Sequence, residues 1–265
     1  MRARPEFLKA LGGEAGCKRL ATEFYARVGK DPVLRPLFPG KSLRCAIDEF
    51  TAFLIQFLGG DEDQTQHRWW LSLRESHARF RIGPAERSAW LKHMGATLDA
   101  APLDEGVRNA LRQFFLQSSA YVIGRESTEP EHRELATRWG AQRALDDAAS
   151  AIAHGHVHEA LSLAPQFAQR PSVYVGLLAR MIRSDRVALT RFVINALERA
   201  PNLIKSRFSG KTLLHFASAA GCREVVESLL QLGMDPNIRD RGGHTPLYGV
   251  ANECTSETGP ELVRR

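Results

Sequence analysis

Hydrophobic positions recur with helical spacing along most of the chain. In Leu43–Leu58 the apolar side chains fall three or four residues apart, which is typical of a helix with one wide buried face. Gly59-Gly60 is expected to end this helix, and Pro84 to begin another, because proline suits a first helical turn. Residues 104–123 show the same periodicity. Because the alternation of apolar and polar residues that is typical of β-strands is nearly absent, the pattern predicts an all-α protein.

A polar stretch divides this pattern into two parts. Gly124 is followed by RESTEPEH at 125–132, a composition typical of a linker. The length of 265 residues suits two domains. We therefore expect a first domain over 1–126, a linker over 127–140 and a second domain over 141–265.

The second part contains an internal repeat. GKTLLHFA at 210–217 returns as GHTPLYGV at 243–250, a spacing of 33 residues. Two short predicted helices, 212–220 and 223–232, lie between the copies, and two repeats before Gly221 stands Gly155. This pattern resembles the ankyrin repeat, which implies an α-helical solenoid that binds a protein partner and a structural role for His215. The last repeat is expected to be incomplete within the 265 residues.

Composition and charge narrow the classes of function. The net charge is +6 and the pI is near 9.4, but acidic residues are interspersed among the basic ones, so we expect no nucleic-acid partner. No run of about 18 apolar residues is present, so we expect no membrane association. Four scattered cysteines without a CxxC motif favour a cytoplasmic location. The motifs of common hydrolases and nucleotide-binding enzymes are absent.

One histidine tract has a composition that could suggest a metal site. His154, His156 and His158 alternate along the chain, but on a helix these positions point in different directions. Solvated surface histidines are therefore the favoured interpretation, with zinc or nickel binding as the alternative.

The first part contains several motifs in a fixed order. FYARV is followed by DPVLRPLFP, by FLIQFLGG, by LRESHARFRI and by ERSAWL, all within 21–98. By spacing alone they describe an aromatic helical core with one isolated histidine. Taken together, they resemble the truncated hemoglobins, and group II of that family most closely. The resemblance implies a 2-over-2 α-helical globin fold that holds heme b.

The resemblance also implies roles for individual residues. His77 would be the proximal ligand of the heme iron, with its other ring nitrogen donating to a backbone acceptor. Tyr25 and Trp90 would donate hydrogen bonds to a bound gas. The remaining heme contacts would be Phe38 on the porphyrin face, Ala46, Phe50, Phe53 and Leu54 on the distal helix, and Arg74 and Arg79 at the propionates.

Two departures from the family pattern concern the heme edge. Trp69-Trp70-Leu71 stands where the family usually has Gly-His-Pro before the proximal histidine. Glu49 occupies a position where a basic residue often meets a propionate. These departures leave Arg74, with Arg79 after it, as the expected propionate partners.

The expected function is reversible binding of O₂ and other diatomic gases such as NO and CO, combined with an ankyrin surface for a protein partner. Two alternatives remain open: a heme-based gas or redox sensor that signals through the ankyrin surface, and a heme-free adaptor. Any catalysis would be weak peroxidase or NO dioxygenase activity at the heme, since the resemblance places no distal histidine or carboxylate acid–base pair.

Overall fold

The computed structural model describes residues 6–125 and 128–253 of the chain. Within these ranges the regular structure is helical, apart from an isolated bridge between Phe208 and Lys211. The predicted all-α fold class is confirmed. Cys254, the end of the last repeat at 254–265 and the expected junction at 126–127 lie outside the described residues.

The chain divides into two compact units. Among the described residues, the first contains 6–65, 72–125 and 128–143, and the second contains Gln66–Leu71 together with 144–253. The second unit therefore includes six residues from the middle of the first part of the sequence. The domain bounds expected from the sequence stay a prediction.

The helices of the first unit build one aromatic core. Helix α2 packs against α3 and α5, and α5 packs against α6. The core has Phe24, Phe53, Phe114 and Trp139 among its members. The helices are α1 (Glu6–Ala10), α2 (Gly13–Val28), α3 (Arg44–Phe57), α4 (Leu73–Ala78), α5 (Pro84–Ala100), α6 (Glu105–Val122) and the first half of α7 (Arg133–His154).

Local signals set the helix ends around the expected site. Pro84 begins α5, and the Glu86 carboxylate accepts a hydrogen bond from the Gly83 N–H at 2.8 Å. Helix α4 begins after Ser72, whose hydroxyl accepts from the Glu75 N–H at 3.2 Å. Past the end of α3, Gly59 has a φ of 79°, a conformation that favours glycine.

The second unit consists of stacked helix pairs. Its helices, after the second half of α7, are α8 (Val157–Leu163), α9 (Pro171–Arg183), α10 (Val187–Arg199), α11 (Leu213–Ala220), α12 (Arg223–Gln231) and α13 (Pro246–Glu253). Helix α11 packs against α9, α12 and α13. Gly155 and Gly221 stand between paired helices with φ values of 76° and 68°, as the repeat spacing predicts.

His215 has the structural role expected of it. Its Nδ1 lies 3.3 Å from the Thr212 N–H nitrogen and 2.8 Å from the Thr212 hydroxyl. Because Nδ1 accepts there, Nε2 carries the proton and donates to the carbonyl of His244 at 3.1 Å. His215 thus joins its own helix start to the turn of the next repeat.

Among the residues that the structure describes, no helix combines the length and apolar character needed to cross a membrane.

Candidate functional site

His77 lies on the short helix α4 with one ring nitrogen directed at the backbone. Its Nδ1 is 2.7 Å from the carbonyl oxygen of Leu73, one turn earlier, and 2.9 Å from the Ser76 hydroxyl oxygen. The Ser76 hydroxyl donates to the same carbonyl at 2.8 Å. Because a carbonyl oxygen can only accept, Nδ1 must carry the proton. In the neutral imidazole with this proton on Nδ1, the lone pair is on Nε2, the atom that can bind a metal.

A series of aromatic rings connects His77 to Tyr25. The centroids of His77 and Phe80 are 6.4 Å apart, those of Phe80 and Phe38 are 5.7 Å apart, and those of Phe38 and Tyr25 are 5.6 Å apart. All four side chains are half-buried. Half-exposed aromatic side chains in contact form an apolar surface suited to a flat apolar ligand.

Tyr25 projects from α2 with its phenol held in the protonated form. Burial raises the pKa of the phenol well above its usual value near 10, and the charge of Glu49 raises it further. The Tyr25 ring also contacts Phe50 on α3, at a centroid distance of 6.2 Å. Tyr25 is therefore a hydrogen-bond donor within an aromatic environment.

Trp90 lies on α5 and contacts the same aromatic group from another side. Its ring centroid is 5.2 Å from that of Phe24 and 5.5 Å from that of Phe115. Phe24 in turn contacts Tyr25 at 5.1 Å. Phe24 thus connects the two expected donors, Tyr25 and Trp90.

Of the other residues expected on the distal side, some are half-buried beside the aromatic series and others are buried in the core. Phe50 and Phe53 stack on α3 with centroids 6.4 Å apart, but Phe53 is buried while Phe50 is half-exposed. Leu54 is a buried member of the core. Ala46 lies in the first turn of α3 and is half-buried.

The two expected propionate partners have different surroundings. The Arg79 guanidinium lies 4.8 Å from the ring centroid of Phe80, which belongs to the aromatic series. The Arg74 guanidinium lies 4.1 Å from the ring centroid of Tyr121 on α6. Both arginines are exposed. The charge of Glu49 acts on Tyr25, whose pKa it raises.

These residues fit an iron porphyrin. Iron in globins is ligated by a neutral imidazole, and the contact of His77 Nδ1 with the Leu73 carbonyl leaves Nε2 as the ring nitrogen that carries the lone pair when the ring is neutral. A porphyrin needs an apolar, aromatic surface, and Phe38, Phe50 and Phe80 supply it. A protonated phenol at Tyr25 adds a donor for a polar ligand atom.

Sequence reasoning missed two parts of this site. No local sequence signal singles out Phe80, because it lies beyond the end of α4 at Ala78 and approaches the His77 ring through the turn that follows the helix. The half-buried pair of Asp31 and His93, with Oδ2 and Nε2 2.7 Å apart, connects the DPVL turn to α5. The hydrogen bond with His93 is the main cause of the lowered pKa of Asp31.

The histidine tract of the second unit has no metal-site geometry in the described part of the chain, where no group of three or more potential ligands converges. The Nδ1 of His154 lies 2.9 Å from the Ser150 carbonyl oxygen, and that of His156 lies 3.5 Å from a Glu159 carboxylate oxygen.

Comparisons with known proteins match both units. A family model described as bacterial-like globin matches residues 6–120, and one described as ankyrin repeats (many copies) matches residues 196–247. The group 2 truncated hemoglobin YjbI of Bacillus subtilis is 33% identical over 121 residues, which are 46% of this chain and 89% of that protein.

Two further matches extend the comparison. The crystal structure of a hemoglobin from Chloroflexus aurantiacus has 39% sequence identity, covers 44% of this chain and 97% of that chain, and gives a TM-score of 0.42. Protein phosphatase 1 regulatory subunit 12A of Mus musculus is 50% identical over 55 residues, which are 21% of this chain and only 5% of that protein.

The identity with YjbI covers nearly all of that relative, and the matched region contains His77, Tyr25 and Trp90 in their expected order. Family membership of this kind implies heme binding. The chain belongs to the truncated hemoglobin family, as a group 2-type globin followed by ankyrin repeats.

Proposed function

We propose that the first unit binds heme b through His77 and reversibly binds O₂ and other diatomic gases such as NO and CO. The observation that carries this proposal is the 2.7 Å contact of His77 Nδ1 with the Leu73 carbonyl. It holds the ring proton on Nδ1, so that in the neutral imidazole the lone pair lies on Nε2. The heme, when bound, supplies the iron at which a gas molecule is held.

The residues of the chain supply the environment. Tyr25 and Trp90 donate hydrogen bonds, which favour a gas that gains negative charge on binding, as dioxygen does. Phe38, Phe50 and Phe80 exclude water from the porphyrin face, with Ala46, Phe53 and Leu54 behind the distal side. The contact of Arg79 with Phe80 supports Arg79 as a propionate partner, and Arg74 is the second candidate.

The first experiment is a hemin titration of the full chain followed by its Soret band. We expect saturable binding by the wild type and loss of hemin at least tenfold faster in His77→Ala, on the scale of removing a metal contact. His77→Gly should regain the band when imidazole is added. His154→Ala, which removes an exposed histidine of the second unit, is the matched control. A wild type without a Soret band would reject heme binding and favour the heme-free adaptor.

The second experiment addresses the gas. Tyr25→Phe keeps the ring contacts with Phe38 and Phe50 but removes the O–H donor. A hydrogen bond to a charged acceptor contributes about 1.5–3 kcal/mol, so O₂ dissociation should accelerate by roughly 10- to 100-fold. Dissociation of CO, on which less charge develops, should change less. Equal O₂ dissociation rates in wild type and Tyr25→Phe would remove Tyr25 from this role.

For the second unit we propose that the ankyrin repeats bind a protein partner. A sensory role is a second candidate, and one observation favours it. Gln66–Leu71, which directly precedes the helix of His77, belongs to the ankyrin unit.

A further inference from the structure

The segment Gln66–Leu71 precedes α4 in sequence but is part of the second unit. Two of its side chains are buried there: Leu71 is 0% exposed and Arg68 is 2% exposed. Leu71 is a member of the hydrophobic core of the second unit. The six residues therefore fold with the ankyrin repeats rather than with the globin helices that flank them.

The segment is anchored at both of its ends. At the first end, the carbonyl of Gln66 accepts a hydrogen bond from the Gly210 N–H at 2.9 Å. At the last end, Leu71 lies so close to Gly176 on α9 that an added Cβ there would approach its methyl carbons to 2.9–3.0 Å. The same Cβ would come within 3.0 Å of Phe208. Gly176 thus provides the space that Leu71 occupies.

The Gly210 N–H, which donates to Gln66, lies in a hydrogen-bonded hairpin turn. Phe208 and Lys211 exchange two backbone hydrogen bonds of 2.9 Å around Ser209 and Gly210, whose φ values are 54° and 72°. Two successive positive φ values define a tight hairpin turn. The Gly210 carbonyl accepts from the Arg207 side chain at 2.9 Å and from the Arg241 N–H at 3.2 Å. The turn therefore presents the Gly210 N–H in a defined position.

The other end of the segment continues directly into the helix of His77. Ser72 follows Leu71 and caps α4 through its hydroxyl. Helix α4 has only six residues, and a helix so short has little stability of its own. Its conformation therefore depends on its packing against α6, on Leu73 in the core of the first unit and on what holds its ends. His77 takes its ring orientation from the Leu73 carbonyl in the first turn, two residues after Leu71.

We propose that the ankyrin unit sets the position of α4, and with it His77, by holding Gln66–Leu71, with Leu71 as the positioning residue. The inference rests on the proposed role of His77 as the heme ligand. Contacts of Leu71 with α9 and of Gln66 with the 208–211 hairpin act on His77 through the continuous chain. Because coupling between two sites is reciprocal, the ligation state at His77 also acts on the hairpin of the ankyrin unit.

The test compares paired variants of the full chain. Leu71→Ala removes the buried apolar side chain that the segment contributes to the core, whereas Leu229→Ala removes an equally buried leucine of the same core from α12. Gly176→Ala adds a Cβ on α9 that clashes with the Leu71 methyl carbons. Gly140→Ala on α7 adds a Cβ that meets nothing within 4 Å. Leu71→Val is the milder substitute if Leu71→Ala does not fold.

Two readouts are needed. Hydrogen exchange of the α4 amides reports on the helix with or without heme. Hemin loss and the iron–histidine stretching frequency of the ferrous protein report on the ligand itself. We expect Leu71→Ala and Gly176→Ala to exchange α4 amides faster, to lose hemin severalfold faster and to shift the stretching frequency. Leu229→Ala and Gly140→Ala should match the wild type in all three.

The outcomes separate the two proposals. Unchanged α4 exchange in both Leu71→Ala and Gly176→Ala would overturn the inference, whatever the heme does. Faster exchange in Leu229→Ala as well would also overturn it, because the effect would then follow the stability of the core. If the wild type binds no hemin, heme binding is rejected, and α4 exchange alone decides whether the ankyrin unit positions this helix.

Discussion

At the scale of the residue, each turn that joins two paired helices of the second unit contains a residue with a positive φ. Gly155 and Gly221 take this position in two of them, and Asp185 takes it between α9 and α10 with a φ of 53°. A side chain with a Cβ is strained in this region by about 1–2 kcal/mol, although aspartate tolerates it better than most residues. At Asp185 the repeat therefore lacks the glycine that adopts a positive φ without strain.

Asp185→Gly should stabilise the second unit. Removing the strain gains about 1–2 kcal/mol, and the greater freedom of glycine in the unfolded chain costs about 0.4–1 kcal/mol. The expected net gain is about 0.5–1 kcal/mol, measured as the free energy of unfolding in urea. Asp185→Ala, which keeps the Cβ, should be less stable than the wild type. A Gly variant no more stable than the Ala variant would contradict this account.

The site residues could be proposed from the sequence because each lies within a recognisable motif. His77, Tyr25 and Trp90 occupy their positions in LRESHARF, FYARV and ERSAWL. The sequence could indicate that His77 Nδ1 donates to a backbone group, but not to which one. The Leu73 carbonyl is the acceptor because of the His77 rotamer on α4. Leu71 could be seen only as a departure from the family pattern, because no local signal shows which core a leucine joins.

At the scale of the element, α7 contributes to both hydrophobic cores. Its residues Leu135 and Trp139 belong to the core of the first unit, and Leu145 and Ile152 belong to that of the second. The boundary between the units falls after Arg143, within this helix. Trp139 is 1% exposed and contacts Tyr121 at a centroid distance of 5.1 Å.

Trp139→Ala should destabilise the first unit by about 3–5 kcal/mol, as for other buried aromatic residues. Trp139→Phe should cost much less. The Trp139 indole nitrogen has no hydrogen-bond partner among the described residues, so phenylalanine keeps the aromatic packing without losing a polar contact. Urea unfolding followed by circular dichroism measures both. Equal losses for the two variants would mean that the indole N–H, rather than the packing, matters.

Helix ends were predictable where local signals were strong. The predicted helices 43–58 and 104–123 correspond to α3 at Arg44–Phe57 and α6 at Glu105–Val122. Glycine pairs, proline and acidic residues at the ends act over a few residues, so they can be recognised without the fold. The double membership of α7 has no such signal, because its two halves bury their apolar faces against different partners.

At the scale of the whole molecule, acid should weaken the second unit through a single buried histidine. Burial lowers the pKa of His215, and the charges of Arg207 and Lys211 add to this, while the hydrogen bond to His244 and the charge of Asp240 oppose it. The unfolded chain, with a histidine pKa of about 6.5, therefore binds the proton more readily than the folded unit.

The stability from His215 should be complete above about pH 6.5 and should fall as the pH decreases below that value, since protons then favour the unfolded state. The free energy of unfolding of wild type and His215→Gln, measured at several pH values between about 5 and 8, isolates this contribution. His215→Gln should be less stable at neutral pH but less sensitive to acid. Parallel pH dependences of the two proteins would exclude His215 as the cause.

The sequence by itself determined the helical fold class, the repeat of 33 residues and the candidate heme-binding residues, because periodicity and motifs are local properties of the chain. Only the tertiary structure decided that Gln66–Leu71 folds with the ankyrin repeats, that α7 serves two cores and that Phe80 connects His77 to Tyr25. These features rest on contacts such as that of Gln66 with Gly210. Such partners lie far apart along the chain, and nothing in the sequence next to either one specifies the other.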